Sequence, residues 1–402
     1  MIKKKIAIVW EGYEAGGIDS YLYYLLEAWP VDDEFTIFYN QENLGVDRLK
    51  LLLKNEKIIF QPVKTFFRFY EGKTFFSLFF KYLLHIFSPI LFLTNIYHYK
   101  RKLMNKNFDI LIAQNGGYPG SYGVLSSCFG AKLAKIQTIA LVIHHAANSS
   151  LPGHKTFRYF IEKNLKNILH SIIPISNPTK ETIEKHTNLS KDFDQNINVI
   201  ENGVPLPKKK KQYILNQKRK LKVAILGRLD RHKGHDDFLI ALTLLPRDLL
   251  RKISVEFIGS YKDEDFKRIS SLITDLDLHE TVEIKGFVNA STEKIILDLD
   301  LLIMATKDFE GFGLTIIEAL HARVPVISTR VGVALELFSE EDIMAVMPSD
   351  HIGISKALET FINSENKQSL ISEDVLGKLK KYDSKHSSRR YREHLTREFK
   401  LQ

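Results

Sequence analysis

At 402 residues the chain exceeds what one hydrophobic core usually organises, which points to two domains of about 200 residues each. An apolar fraction of 44% against 26% charged residues excludes a disordered or fibrous protein, and the single cysteine, Cys128, excludes a disulfide framework and a thiolate metal site and fits a reducing compartment. The formal charge of +9 favours an anionic partner, whether nucleic acid, a membrane surface or a phosphorylated small molecule, without choosing among them.

From the amino terminus, "MIKKKIAIVWEGYEAGG" has a basic start, but its apolar run is too short for a secretory signal and reads as a first β-strand. Short apolar runs then alternate with amphipathic stretches: "KKIAIVW" and "DSYLYYLLEAW", "FDILIAQ", "TIALVIHH", "HSIIPIS" and "PTKETIEKH", "NINVIENGVP". Buried strands followed by helices predict a parallel α/β sheet. The alternation restarts after residue 206 with "LKVAILGRLD", "HDDFLIALTLL" and "ISVEFIGS" and runs to "RVPVISTRVG". The expected domains are 1–204 and 205–380, both Rossmann-like and doubly wound, with 381–402 as a terminal helix. Between them "PLPKKKKQYILNQKRK", residues 205–220, reads as a solvated linker or hairpin, with a nucleic-acid or membrane contact as the alternative. Ligands of open α/β sheets bind beyond the C-terminal ends of the strands, so chemistry is expected in the loops that follow them.

Residues 60–100 break the pattern by crowding aromatic and aliphatic side chains among Lys64, Arg68, Lys73, Lys81 and Lys100. Buried packing helices, or interfacial helices that dip aromatics into an anionic membrane, both fit this composition. A spanning helix from Phe75 to Ile96 is long enough, but Lys81, His85 and Pro89 interrupt it.

Two stretches carry the chemistry. In "DFEGFGLTIIEALHARVPVISTRVG", residues 308–332, a loop with Gly311 and Gly313 leads from a strand to a helix predicted from about Thr315. The unpaired N–H groups and dipole of such a helix start suit a phosphate. Glu318 is expected in the first turn of that helix, either accepting hydrogen bonds from sugar hydroxyls or complementing the dipole. In "ILGRLDRHKGHDDF", Arg228 and Lys233 flank a turn before Gly234, where they either neutralise a diphosphate or solvate a surface. Asp298 and Asp300 spell a D-x-D, but they precede a strand whose following loop is already assigned, so no metal is expected there.

Together these residues resemble the retaining glycosyltransferases of the GT-B fold, in particular family 4. "EGFGLTIIEA" is similar to that family's E-x7-E motif, "GRLDRHKG" to its Gly-Arg-Leu…Lys-Gly motif and "VIENGV" to its Asn-Gly-Val signature; "FIGSYKDEDF", "VEIKGFV" and "AGGIDSYL" extend the likeness over nearly the whole chain. The resemblance implies an α/β protein of two Rossmann-like domains facing a central cleft. It implies that Glu318 binds the nucleotide ribose, Glu310 the donor sugar, and the N–H groups of Phe312, Gly313, Leu314 and Thr315, after Gly311, the diphosphate. Arg228 and Lys233, in the loop opened by Gly227, would hold the same diphosphate and stabilise the departing charge. Gly16 and Gly17 match the amino-terminal glycine pair that lets the loop approach the donor. His144 matches the histidine near the reacting sugar, with His145 as its adjacent rival. After Gly332 the chain reads "VALELF" where the family often has a second glycine and a proline, which leaves the role of Glu336 open.

The expected catalytic set is therefore His144, Glu310, Arg228 and Lys233, with no cofactor and no metal. The donor would be a nucleotide-diphosphate sugar, UDP favoured on family frequency and GDP also open. The loop "QNGGYPGSYG", residues 114–123, reads as mobile and acceptor-facing, so Asn115, Tyr118 and His145 are expected to meet a glycan or lipid-linked acceptor. Assembly of O-antigen, lipopolysaccharide or capsule on the cytoplasmic face of a bacterial membrane follows from the resemblance; the aromatic, basic composition of 60–100 adds an expected peripheral contact, and no nucleic-acid partner is expected. A sugar-nucleotide epimerase on the same fold and a non-catalytic partner subunit are the alternatives; a dinucleotide oxidoreductase lacks its G-x-G-x-x-G here. Tyr391, Leu395 and Phe399, spaced by four, predict the terminal helix, which in the family returns to the first domain; a frayed basic tail is the alternative.

Overall fold

The computed structural model describes residues 2–13, 16–53, 57–65, 87–149, 155–191, 196–213, 219–288, 290–340 and 342–397. The chain forms two compact units, Met1–Asn202 with Lys385–Gln402, and Gly203–Ser384.

The first unit is built from β1 (Lys5–Trp10), α1 (Gly17–Glu27), β2 (Glu34–Asn40), α2 (Leu44–Leu52), β3 (Ile58–Val63), α3 (Ser88–Leu103), β4 (Ile110–Asn115), α4 (Tyr122–Leu133), β5 (Thr138–Ile143), α5 (Lys155–Ile168), β6 (Ser171–Pro174) and α6 (Asn177–His186). Its sheet has six strands in the order β3-β2-β1-β4-β5-β6, all parallel, with Ile8 level with Ile37 on one side and Ile112 on the other. Helices cover both faces, so β1 and β4 read as unbroken apolar runs and are buried along almost their whole length. The core on one face takes Phe92 and Tyr99 from α3, Leu125 and Cys128 from α4, and Ile161 and Leu165 from α5. Burial pushes the Cys128 thiol up to about 12, so this cysteine is a packing residue.

The second unit repeats the plan with β7 (Leu221–Leu226), α7 (His235–Thr243), α8 (Arg247–Leu250), β8 (Ile253–Ile258), α9 (Asp263–Asp275), β9 (Val282–Gly286), α10 (Thr292–Asp298), β10 (Leu301–Met304), α11 (Leu314–His321), β11 (Val326–Thr329), α12 (Ala334–Leu337), β12 (Ala345–Val346), α13 (His351–Asn363) and α14 (Glu373–Lys378). Its six parallel strands run β12-β11-β10-β7-β8-β9.

The terminal helix α15 (Ser384–Thr396) packs in the first unit. Tyr391 and Leu395 are buried there, Tyr391 beside Tyr21, and the Ser388 hydroxyl donates to the Leu25 carbonyl. Phe399 lies outside the described residues, as do 66–86 of the aromatic segment. The rest of that segment forms β3 and α3, and no helix among the described residues is long and apolar enough to cross a membrane.

The basic stretch 205–220 is largely exposed where it is described, Lys208, Lys209, Lys210 and Lys220 included, but part of it is anchored. Asp300, buried at the start of β10, draws it in: Arg219 places two nitrogens 2.5 and 2.8 Å from its carboxylate, Lys211 Nζ lies 3.2 Å away, and Tyr213 donates to its backbone carbonyl. These cations hold the Asp300 carboxyl below its usual range despite burial. Lys222 pairs with Asp298 at 2.5 Å, so both acids of the D-x-D answer cations, and no cluster suited to a metal ion occurs among the described residues.

Candidate functional site

In the second unit the chain order reverses at β7: β8 and β9 lie on one side of it, β10 to β12 on the other. Ligands of doubly wound sheets bind at this switch point, outside the carboxyl ends of the strands. The loops that leave β7 and β10 meet there. Lys307 N–H donates to the His232 carbonyl at 2.9 Å, and the His232 ring bonds the Phe309 carbonyl. Gly234, at φ 69°, permits the closest approach, because a Cβ would stand 1.8 Å from the Ala305 carbonyl oxygen. A short 3-10 turn, Arg231–Lys233, capped by Asp230, ends on that glycine and aims Lys233 across the gap. Lys233 Nζ lies 2.5 Å from Glu310 Oε2, to which the Thr306 hydroxyl also donates at 3.4 Å. Arg228, about half exposed, contacts Asp230 at 3.1 Å.

The structure thus brings Lys233, with Gly227 beside its side chain, to Glu310, while Arg228 is placed against Asp230 of its own loop. Helix α11 begins at Leu314 with Gly313 as a left-handed N-cap and no side chain capping it. Its first turn presents backbone N–H groups and the positive end of the dipole beside Glu310. Glu318 is the fifth residue of α11, so the expected first-turn position is corrected to the second turn. Three- and four-residue spacing still places it on the face of Thr315 and Leu314, and it is buried. Glu336 turns out to be a strut: it accepts from Lys381 at 2.8 Å and the Tyr382 hydroxyl at 2.9 Å, while the Tyr382 ring meets Phe312 edge to face.

In the first unit the switch point lies between β1 and β4. Gly16 and Gly17 are exposed at the start of α1, where the Gly16 N–H donates to Asp19 at 2.7 Å. His144 follows β5, is buried against the Tyr21 ring, and places Nε2 2.7 Å from Gln114 Oε1. That partner is an acceptor, so Nε2 carries the proton and Nδ1 is left as an acceptor. Burial lowers the imidazole pKa to about 3, which keeps it neutral. His145 is exposed.

Asn115 and Tyr118, expected to face an acceptor, are corrected to interior roles. The Asn115 amide donates to the Pro119 carbonyl at 2.8 Å and accepts from Ser121 N–H at 2.9 Å, which braces the 114–123 loop from within. Tyr118 is buried beneath the Arg158 guanidinium. The turn itself stays half-buried to exposed at Gly116, Gly117, Pro119 and Gly120, and the buried Asn115 side chain satisfies part of its backbone.

Glu11 is the residue that sequence reasoning missed. It follows β1 directly at the switch point and accepts from the Ser121 hydroxyl and, at 3.3 Å, from the Tyr99 hydroxyl. Gly123 makes the space, since a Cβ there would stand 2.0 Å from Glu11 Oε1. Burial, only partly offset by hydroxyls of Ser121, Tyr99 and Thr65, raises the Glu11 carboxyl to about 7. Its place after the first strand of a doubly wound sheet was the available signal.

Residues 207–375, within the second unit, match the family model for glycosyl transferases group 1. The match covers less than half of the chain. The matched stretch contains Arg228, Lys233, Glu310 and Glu318. A poly(ribitol-phosphate) alpha-N-acetylglucosaminyltransferase of Staphylococcus aureus (strain COL) is 24% identical over 63% of this chain and 48% of its own length. An O-antigen biosynthesis glycosyltransferase of Escherichia coli, WclY, is 27% identical over 28% of this chain and 29% of its own. The chain therefore spans about half or less of the curated relatives it matches. Among solved structures, Anabaena HepE in complex with UDP and glucose has a TM-score of 0.73 at 17% identity, covering 98% of this chain and 99% of that one. At that identity the likeness concerns the fold, which is GT-B.

Proposed function

We propose that the protein is a retaining glycosyltransferase that moves a sugar from a nucleotide-diphosphate donor, UDP-linked in the first instance, to a glycan or lipid-linked acceptor in cell-surface polysaccharide assembly. The observation that carries this reading is the meeting of Lys233 with Glu310 at the switch point of the second unit, beside the start of α11, which no side chain caps. A UDP donor is supported by the UDP and glucose bound to the similarly folded HepE. The acceptor class is supported by the O-antigen and poly(ribitol-phosphate) roles in the relatives' names.

In this reading the breaking glycosidic bond leaves negative charge on the diphosphate and positive charge on the sugar. Arg228, Lys233 and the α11 N–H groups meet the first, as fixed charges aimed where charge develops. Phosphate oxygens arriving at Lys233 compete with Glu310 for its ammonium, which frees the Glu310 carboxylate for sugar hydroxyls. Glu318, one turn further along α11, addresses the ribose. His144, neutral and with Nδ1 as an acceptor, takes a hydrogen bond from a sugar hydroxyl rather than a proton from the acceptor. The acceptor attacks from the face the leaving group departs, and a diphosphate oxygen takes its proton.

The test is nucleotide release from a panel of UDP-, GDP- and ADP-sugars, with water as the default acceptor. Slow release of UDP from one UDP-sugar, with free sugar as the second product, is the expected result. No release from any member overturns the reading, and conversion to an epimer redirects it to isomerisation.

A further inference from the structure

Helices α3, α4 and α5 cover one face of the first unit's sheet, and the outer side of this layer has an unusual composition. Phe92, Asn95, Tyr99 and Leu103 form the buried stripe of α3. On the opposite side of the same helix, Ile90, Leu93 and Tyr97 recur at three- and four-residue spacing, so α3 is apolar on its solvent side as well. Phe87 precedes them, and Tyr159 and Phe160 stand on the outer side of α5. These six side chains are 50–64% exposed. The two helices touch through Phe92 and Phe157, whose ring centroids lie 5.7 Å apart. Scattered exposed apolar residues are ordinary, but five on two touching helices, with Phe87 at the cap of one, mark an interaction face.

The exposed charged side chains of these helices have one sign. Lys100, Arg101 and Lys102 close α3, with the Arg101 guanidinium 5.9 Å from the Tyr97 ring centre, and Lys155 and Lys163 lie exposed along α5. Helices α3 and α4 contain no carboxylate, and the one acid of α5, Glu162, is buried 2.7 Å from Arg158. A surface of aromatic and aliphatic side chains flanked by cations and lacking anions matches the boundary of an anionic bilayer, which takes rings at the acyl edge and lysines at the headgroups.

We infer that the outer face of α3 and α5, through Ile90, Leu93, Tyr97, Tyr159 and Phe160, docks the protein on an anionic lipid surface. This places the described helical part of the expected 60–100 contact on α3 and adds α5, which the sequence pattern did not suggest. It does not depend on the reaction proposed above.

Co-sedimentation of the full chain with vesicles of phosphatidylcholine containing about a third phosphatidylglycerol tests it, with pure phosphatidylcholine as the comparison. The chain is expected to pellet with the anionic vesicles at low salt and to be released as salt rises. The double variant L93E/F160E should bind at least about tenfold more weakly while its melting temperature and nucleotide release stay unchanged. A chain that stays in the supernatant, or a variant that pellets like the parent, overturns the inference. So does a concentration-dependent dimer that the variant abolishes while vesicles pellet neither protein, which would assign the face to a second copy. Nucleotide release is read separately, so either result leaves the glycosyl-transfer reading standing or falling on its own.

Discussion

Ser121 donates its hydroxyl to the Glu11 carboxylate, joining the cap of α4 to the end of β1 across 110 positions of chain. The pairing holds a carboxyl whose pKa rises from 4.5 to about 7 on burial. The folded state therefore binds this proton more tightly than the unfolded one. Stability is fully present below pH 4.5, falls as pH rises towards 7, and is level above it, a loss of about 3 kcal/mol at most. Glu11→Gln keeps the shape and removes the charge. It should melt like the parent at pH 4 and above it at pH 8; the same difference at both pH values would refute the account. A group retained at such a cost, at a switch point, is where function is to be sought.

The Lys233–Glu310 pair is the second place to probe. Lys233→Ala should lower the rate of nucleotide release by about a hundredfold or more, because an aimed cation is lost from the leaving group. It should also weaken nucleoside diphosphate binding in calorimetric titration. Glu310→Ala should keep that binding and lose turnover. Both side chains are only partly buried, at 24% and 15% exposure, so a stability change near 1 kcal/mol is expected. Turnover within a few fold of the parent for both variants would remove these residues from the mechanism.

Much of this was readable in the sequence, for definite reasons. Strands buried on both faces spell unbroken apolar runs, so β1, β4, β5, β7 and β10 announced themselves. Lys233 and Glu310 were found through motif resemblance. The start of α11 fell within one residue of the expected Thr315, although its cap is a left-handed glycine, without the Ser, Thr, Asp or Asn that marks helix starts. Asn115 looked like a polar loop residue because composition cannot show that it ends the buried strand β4. The anchoring of Lys211, Tyr213 and Arg219 within the otherwise exposed 205–220 stretch could not be read, because its partner, Asp300, lies far along the chain. Glu11 was missed for the same reason: its environment is made by Tyr99, Ser121 and Gly123, none of them its neighbours in sequence.

Arg392 ties the terminal helix to the first unit with Nε 2.6 Å from Asp33 Oδ2 and Nη2 3.0 Å from the Ile2 carbonyl. Asp33 also accepts from Trp29 Nε1 and Lys4 N–H, so it is a buried charge held by three donor groups. Arg392→Met fills the space but strands the carboxylate with two neutral donors, which should cost about 3 kcal/mol. In urea the first unit should then unfold at lower concentration while the second keeps its midpoint. Coincident, unchanged transitions would show that the pair contributes nothing net.

His235 offers a cleaner pH test. It is fully buried at the start of α7 with its ring edge-on to Phe257, and among the described residues neither ring nitrogen has a hydrogen-bond partner. Burial lowers its pKa from 6.5 to about 3, so the folded state keeps it neutral where the unfolded chain takes up a proton. Its contribution is complete above pH 6.5 and is lost as pH falls towards 3, at about 1.4 kcal/mol per pH unit. His144 and His394, lowered to about 3 and about 4, add to the same acid slope, opposite in sign to that of Glu11. His235→Phe preserves ring packing and removes two unpaired nitrogens, so it should raise stability at pH 7 by about 1 kcal/mol. Between pH 6 and pH 4 its unfolding free energy should fall less steeply than the parent's by one histidine's share. Parallel slopes for the two proteins would show that this imidazole is hydrated in the folded state.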